Sequence, residues 1–171
     1  MNTHTDQDSK IQSILTSLEE FMGEIDKDRF RMMEGTLSES KFEFWEKLHQ
    51  AKTDKLWGVN FMVYNKTQLD IRVLSLLVNS YIYALATLDS VNDFLKLAIR
   101  VNDNLDVDVW AEIKDDAELA EQDIILITGN LNTKIYGLGY YFNLMVVEES
   151  DEIEVPKSFD LLNLSELLSK K

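Results

Sequence analysis

The chain has two histidines, His4 and His49, and no cysteine. The histidines stand far apart and neither has a second histidine at ligand spacing, so no transition-metal site is expected. The absence of cysteine removes thiolate catalysis, disulfides and cysteine-ligated metals. A Ser-His-Asp triad would have to recruit one of the two imidazoles, and no nucleophile elbow accompanies them. Asn102-Asp103-Asn104-Leu105-Asp106-Val107-Asp108 is dense in oxygen ligands. It lacks the glycine at the sixth position and the glutamate at the twelfth of a calcium loop, and its residue types suit a turn from helix to strand. Gly137-Leu138-Gly139 is followed by Tyr140, Tyr141 and Phe142, so the third glycine of a dinucleotide fingerprint is missing, and there is no Walker loop. Glu112, Asp115 and Asp116 would make a glycosidase-like carboxylate pair only across a cleft; a strand end and a helix cap already account for them. No catalytic, cofactor-binding or metal-binding residue is assigned, and no cofactor is expected.

Aromatic and leucine residues carry more information. Tyr81, Tyr83, Tyr136, Tyr140 and Tyr141 belong to a type enriched at interfaces. Tyr81 and Tyr83, together with Leu161, Leu164 and Leu167 near the C-terminus, are the candidate contacts for a partner.

Several elements must position these residues. Residues 1–8 read as a frayed tail. Asp8 or Ser9 is placed to cap a helix to about Asp26, with Ile11, Ile14, Leu15, Leu18, Met22 and Ile25 on one face. Ser40 and Glu43 have capping-box spacing before a short helix, Phe42–Ala51. From Trp57 the alternation of Val59, Phe61 and Val63 predicts a strand, Leu69–Val78 a second and Tyr81–Thr87 a third, joined as an antiparallel meander. Asp89 or Ser90 then caps a middle helix with Val91, Phe94, Leu95 and Ala98 inside. Val107–Ile113 alternates as a fourth strand. Ala120, Ile124, Ile127, Leu131, Ile135, Leu138, Phe142 and Met145 follow at spacings of three and four, the stripe of one long helix over 117–146. Acidic residues crowd its first turns, where the helix dipole favours them. Gly129-Asn130 offers the alternative of a hairpin turn between Ile124–Thr128 and Leu131–Tyr136, and on the helix reading Gly137 and Gly139 permit a close neighbour. The segment 148–171 reads as an acidic linker, then a short amphipathic helix over 158–169.

The whole is a single α+β domain over 9–147: an antiparallel sheet of about four strands with an N-terminal, a middle and a long C-terminal helix packed on it. At 171 residues with 45% hydrophobic and 28% charged residues, a chain of this kind has enough apolar surface for a core. The formal charge of −14 disfavours phosphate backbones and anionic membranes and favours basic protein partners. No apolar run reaches the length of a membrane span, since Asp70, Arg72 and Asn79 interrupt the longest one, and no signal pattern opens the chain, so a cytoplasmic location is expected.

The predicted order of helix, short helix, three strands, helix, strand and long helix, with Leu95–Glu112 as the best local match, resembles that of the type III secretion chaperone-like superfamily, including the YbjN-like proteins. The resemblance implies a small acidic domain that dimerises and binds another polypeptide; the Phe42–Ala51 helix and the leucine-rich end depart from it. The expected function is therefore non-enzymatic protein binding, chaperone- or adaptor-like, through an apolar surface with an acidic rim. The length of the stripe points to a homodimer. Two other classes stay open: a small carboxylate-dependent enzyme, and an acidic DNA mimic or immunity protein that neutralises a basic partner.

Overall fold

The computed structural model describes residues 3–25, 55–56, 59–60 and 68–162. The expected helix Phe42–Ala51, the strand residues Phe61 and Val63, and Leu164 and Leu167 lie outside these residues. The described elements are α1 (Thr3–Ile25), a two-residue hairpin of β1 (Lys55–Leu56) and β2 (Val59–Asn60), α2 (Gln68–Ala86), β3 (Phe94–Val101), β4 (Asp106–Ile113), α3 (Glu118–Ile135), β5 (Tyr141–Glu148) and β6 (Asp160–Leu161). The class is α+β, as expected. The sheet is mixed: its order is β5-β4-β3-β6, with β3 antiparallel to both β4 and β6, and β4 parallel to β5.

Several expected elements exchange type. Leu69–Val78 and Tyr81–Thr87 are not two strands; they form the single helix α2. Val73 to Ile82 is buried without interruption, including Ser75, Asn79 and Ser80. A helix buried on all sides shows no one-sided period, so the short alternation of Leu69, Ile71 and Val73 mimics a strand. Its three buried polar residues stay within the helix: Ser80 Oγ donates to the Leu76 carbonyl at 2.7 Å and Asn79 Nδ2 to Ser75 Oγ at 3.3 Å. The window Leu69–Ala86 is long and apolar enough to cross a membrane, contrary to the expectation of an interrupted run, and 67% of it is buried inside the fold.

The middle helix is a 3-10 turn, Asp89–Asp93, followed by strand β3. Phe94, Leu97, Ile99 and Val101 turn inward and Lys96 outward, while Leu95 and Ala98 happen to supply helical spacing as well. Pairing with β4 from Lys96↔Glu112 to Val101↔Val107, with a bulge between Phe94 and Lys96, decides for the strand. The calcium-like segment consequently joins two strands. Asn102 Oδ1 accepts the N–H groups of Asn104 and Asp106 at 3.0 and 3.2 Å, an Asx turn, and Leu105 takes φ 68°.

The long rod over 117–146 ends early. α3 runs straight through Gly129-Asn130, so the hairpin alternative does not form, and Ala120, Ile124, Ile127, Leu131 and Ile135 are buried along one face as the stripe predicts. A 3-10 turn Tyr136–Leu138 then ends at Gly139 with φ 90°, and the chain returns as β5, in which Phe142 is buried and Met145 exposed. Gly139 is a helix stop of the left-handed type. A Cβ at Gly129, Gly137 or Gly139 would meet nothing within 4 Å, so no close neighbour explains them. The parallel pairing of β4 and β5 needs a crossover, and α3 supplies it. At the C-terminal end Asp160–Leu161 is the strand β6, not the start of a helix, while α1 begins already at Thr3 where a frayed tail was expected.

The three helices contribute Ile14, Leu18, Phe21, Leu74, Leu77, Ile82, Ile124 and Leu131 to one buried cluster with the inner sheet face, Leu97, Ile99, Val107, Val109 and Phe142. Tyr81 packs its ring against Phe142 at 4.9 Å. The glycines of this region predict opposite outcomes. Gly129→Ala stabilises by about 1 kcal/mol, because it relieves a helix interior, whereas Gly139→Ala destabilises by about 1–2 kcal/mol, because φ is left-handed there. Urea denaturation of the two variants checks both signs.

Candidate functional site

The helices cover one face of the sheet, and the register orders the other into three rows. Arg100 faces Asp108, which faces Asn143; Ala98 faces Trp110, which faces Met145; Lys96 faces Glu112, which faces Val147. The small Ala98 leaves room for the indole of Trp110, and Val147, Val155 and Phe159 complete its cover. The residues after β5 thus cross the outer face as a strap and end as β6 on the edge of β3, where the Leu162 N–H adds a bond to the Leu97 carbonyl at 2.8 Å. Between strap and β5 a groove of about 400 Å³ remains, lined by Trp110, Asn143, Met145, Pro156 and Phe159 with Arg100 and Asp108 at one end.

Arg100 holds this end together. Its Nε and Nη2 both donate to Asp108 Oδ2, at 3.0 and 2.5 Å; Nη1 donates to Ser158 Oγ at 3.1 Å; and its guanidinium lies 5.0 Å from the Phe159 ring centre. Asn143 donates to Asp108 Oδ1 at 2.9 Å and Asn102 more weakly. Partial burial pushes the Asp108 carboxyl up, but the hydrogen bonds of Arg100 and Asn143, the Arg100 charge and the Asn102 amide outweigh it and hold the group below the usual carboxylate range. A general acid needs the reverse. The three carboxylates considered from the sequence do not share a cleft role either: Glu112 is buried and paired with Lys96 at 3.1 Å, Asp115 accepts the Ser150 N–H at 2.8 Å, and Asp116 occupies a left-handed turn with φ 59°.

The second region is the flank formed by α3 and β5. Asn132 on α3 reads the backbone of Phe142 on β5: its Oδ1 accepts the Phe142 N–H at 2.7 Å and its Nδ2 donates to the Phe142 carbonyl at 2.8 Å. These groups of Phe142 therefore point away from β4, to the outer edge. Backbone direction alternates along a strand, so Leu144, Val146 and Glu148 present theirs to the same edge. The Glu148 N–H is taken by Asp151 Oδ2 at 2.8 Å. Tyr136 and Tyr141 meet edge to face at 6.5 Å beside this edge, both exposed.

The candidate contacts are scattered. Tyr81 lies on a helix, not a third strand, and is fully buried. Its hydroxyl donates to Thr128 Oγ1 at 3.0 Å, since Thr128 spends its own proton on the Ile124 carbonyl at 2.6 Å. Burial pushes the Tyr81 phenol well above its ordinary value, and the Thr128 bond offsets only part of this. A partner cannot reach it. Tyr83 is half-buried on α2, and Leu161 is exposed on β6 at the opposite side of the sheet. Tyr140 is also buried; it donates to Asp70 Oδ1 at 3.3 Å, and burial, followed by the Asp70 charge and this bond, raises its phenol well above the usual range. The structure brings together Tyr136 and Tyr141 but not Tyr81, Tyr83 and Leu161.

The Arg100–Asp108 and Lys96–Glu112 pairs escape a sequence reading that makes Lys96 and Arg100 helical neighbours four apart. On two antiparallel strands, two cations four apart and two acids four apart are the signal of facing rows. Asn132 carries no local signal at all. No protein-family model matches this sequence, and no similar curated protein or solved structure was found.

Proposed function

We propose that this chain is a non-enzymatic polypeptide-binding module, adaptor- or chaperone-like, that takes up a basic, apolar partner along the exposed flank of α3 and β5. One observation carries this reading: large apolar side chains stand in water on α3, on the turn that ends it and on β5. Ile125 is 51% exposed and Leu126 63% on α3, Tyr136 72% on the turn after it, and Met145 57% on the face of β5 turned away from α3. Exposed large apolar groups on both sides of one sheet edge fit an interaction surface, and tyrosine and methionine are favoured types there. The surroundings are acidic. No lysine, arginine or histidine occurs from Ile135 to Pro156, and Glu118 and Glu121 occupy the first turn of α3. Burial of the apolar groups would supply affinity, and the acidic rim would steer encounter and select the partner. The reading shares with the type III secretion chaperone-like superfamily only the expectation of a polypeptide client in a small acidic α+β domain.

Affinity capture from the native cell, at low and high salt, tests it. A chain carrying both Ile125→Asp and Leu126→Asp should fold unchanged, since exposed substitutions cost about 0.5 kcal/mol or less each, and should lose the partners that the wild type retains. Partners of the wild type should weaken as salt rises. Retention of the same partners by the variant would remove this flank as the binding surface.

A further inference from the structure

We propose, building on the reading above, that the partner segment binds as an added strand on the outer edge of β5, hydrogen-bonded to the backbone of Leu144 and Val146. The edge is closed at both ends by the chain itself. Asn132 takes both backbone groups of Phe142, and Asp151 takes the Glu148 N–H. Between them, the N–H and C=O groups of Leu144 and Val146 point outward by the alternation of the strand, and among the described residues no hydrogen bond beyond the sheet ladder is formed by them. Two residues with both groups outward are the template for strand addition. Four such groups accept two residues of an extended segment, with a neighbour on each side.

Charge chooses the occupant. The edge strand and the turn after it hold Glu148, Glu149, Asp151 and Glu152 and no cation. A second copy would bring the same acidic edge, and each copy carries a formal charge of −14. A segment that alternates basic and apolar residues matches instead: its apolar side chains lie on the outer face beside Met145, and its cations on the other face, the face of Glu148.

The test uses the full chain and three synthetic heptapeptides: alternating Lys and Val, alternating Glu and Val, and the Lys-Val peptide N-methylated along one edge. Amide hydrogen exchange is followed by NMR. The Lys-Val peptide should slow exchange at Leu144 and Val146 by about tenfold or more, and the other two should not. Val146→Pro deletes one outward N–H and leaves the bonds to β4 in place; it should weaken the Lys-Val peptide by about tenfold. The exchange result stands even if the proline variant folds poorly. Binding of the Lys-Val peptide without protection at these amides overturns strand addition, and so does equal protection by the Glu-Val peptide. Protection in the free chain that rises with protein concentration also overturns it, because a second copy then holds the edge. If Ile125→Asp with Leu126→Asp abolishes peptide binding while Leu144 and Val146 exchange freely, strand addition fails and the binding module survives. Loss of the capture result as well is the failure of the module itself.

Discussion

Trp110→Ala lowers stability by about 3–5 kcal/mol, the range for emptying a large buried aromatic site. Trp110 is among the largest fully buried side chains, 1% exposed, and it is the centre of the small outer cluster formed with Ala98 and Val147 under Val155 and Phe159. The chain has little means to refill the space. Ala98 is too small to move in, and Phe159 is held above the site by the Arg100 guanidinium. The strap should therefore loosen as well as the sheet. Limited proteolysis should cut within 152–159 much faster in the variant than in the wild type, at a denaturant concentration where both remain folded. Trp110→Phe separates the two contributions to the tryptophan's role. The indole Nε1–H is buried without an acceptor among the described residues, so the polar part of this side chain adds nothing that phenylalanine would lose. Most of the deficit of the alanine variant should be recovered. A phenylalanine variant as unstable as the alanine one would show that the indole nitrogen has a partner in solution.

Asn132→Asp costs about 2 kcal/mol at neutral pH while changing shape hardly at all. The carboxylate can still accept the Phe142 N–H, but it has no proton for the Phe142 carbonyl, so an acceptor faces an acceptor where 2.8 Å separated donor from acceptor. The introduced carboxyl is thereby held above its unfolded pKa of about 3.9. The folded form then binds the proton more tightly than the unfolded form, and stability lost at neutral pH returns as pH falls through the raised folded pKa toward the unfolded one. Denaturation midpoints of variant and wild type, compared at pH 7 and pH 4, should converge at the lower value. A gap that stays constant would mean that the side chain of residue 132 does not face the Phe142 carbonyl.

Legibility followed the source of each element's stability. α1 and α3 were readable because one face of each meets the core and the other meets water: Ile14, Leu15 and Leu18, then Ala120 through Ile135, keep the 3.6 period that this asymmetry imposes. β4 was readable at period two because its sequence alternates polar and apolar types, with Asp108, Trp110 and Glu112 on the side away from the helices, although Trp110, under the strap, and Glu112 are buried there. α2 was misread because it is buried on more than one side, and β3 because Leu95 and Ala98 also give it helical spacing. The residues that surround α2 are distant in sequence, and β3 becomes a strand only when Val107–Ile113 comes alongside. The stripe from Leu131 to Met145 continued in spacing beyond the helix by coincidence: Phe142 is buried as Ile135 is, but from a strand. Gly139 held the correction, since a glycine after a helical run more often ends it than lines a contact. Of the candidate site, the acidic surroundings and the two exposed tyrosines of the flank were visible. The open edge was not, because it depends on which neighbour β5 acquires and on a side chain, Asn132, ten residues earlier in the chain.

The placement of β6 has a consequence for what the protein does at high concentration. A filament assembled by stacking sheets side by side needs two available borders on every molecule, one to receive and one to offer. Here the strand next to β4 on one side is overlaid at Ala98 and Ile99 by residues from the same chain's own end. The border on that side is thereby reduced to the two residues of β6, an edge too short to offer much template for another chain, so growth by that route is hindered on one side while the edge of β5 stays available.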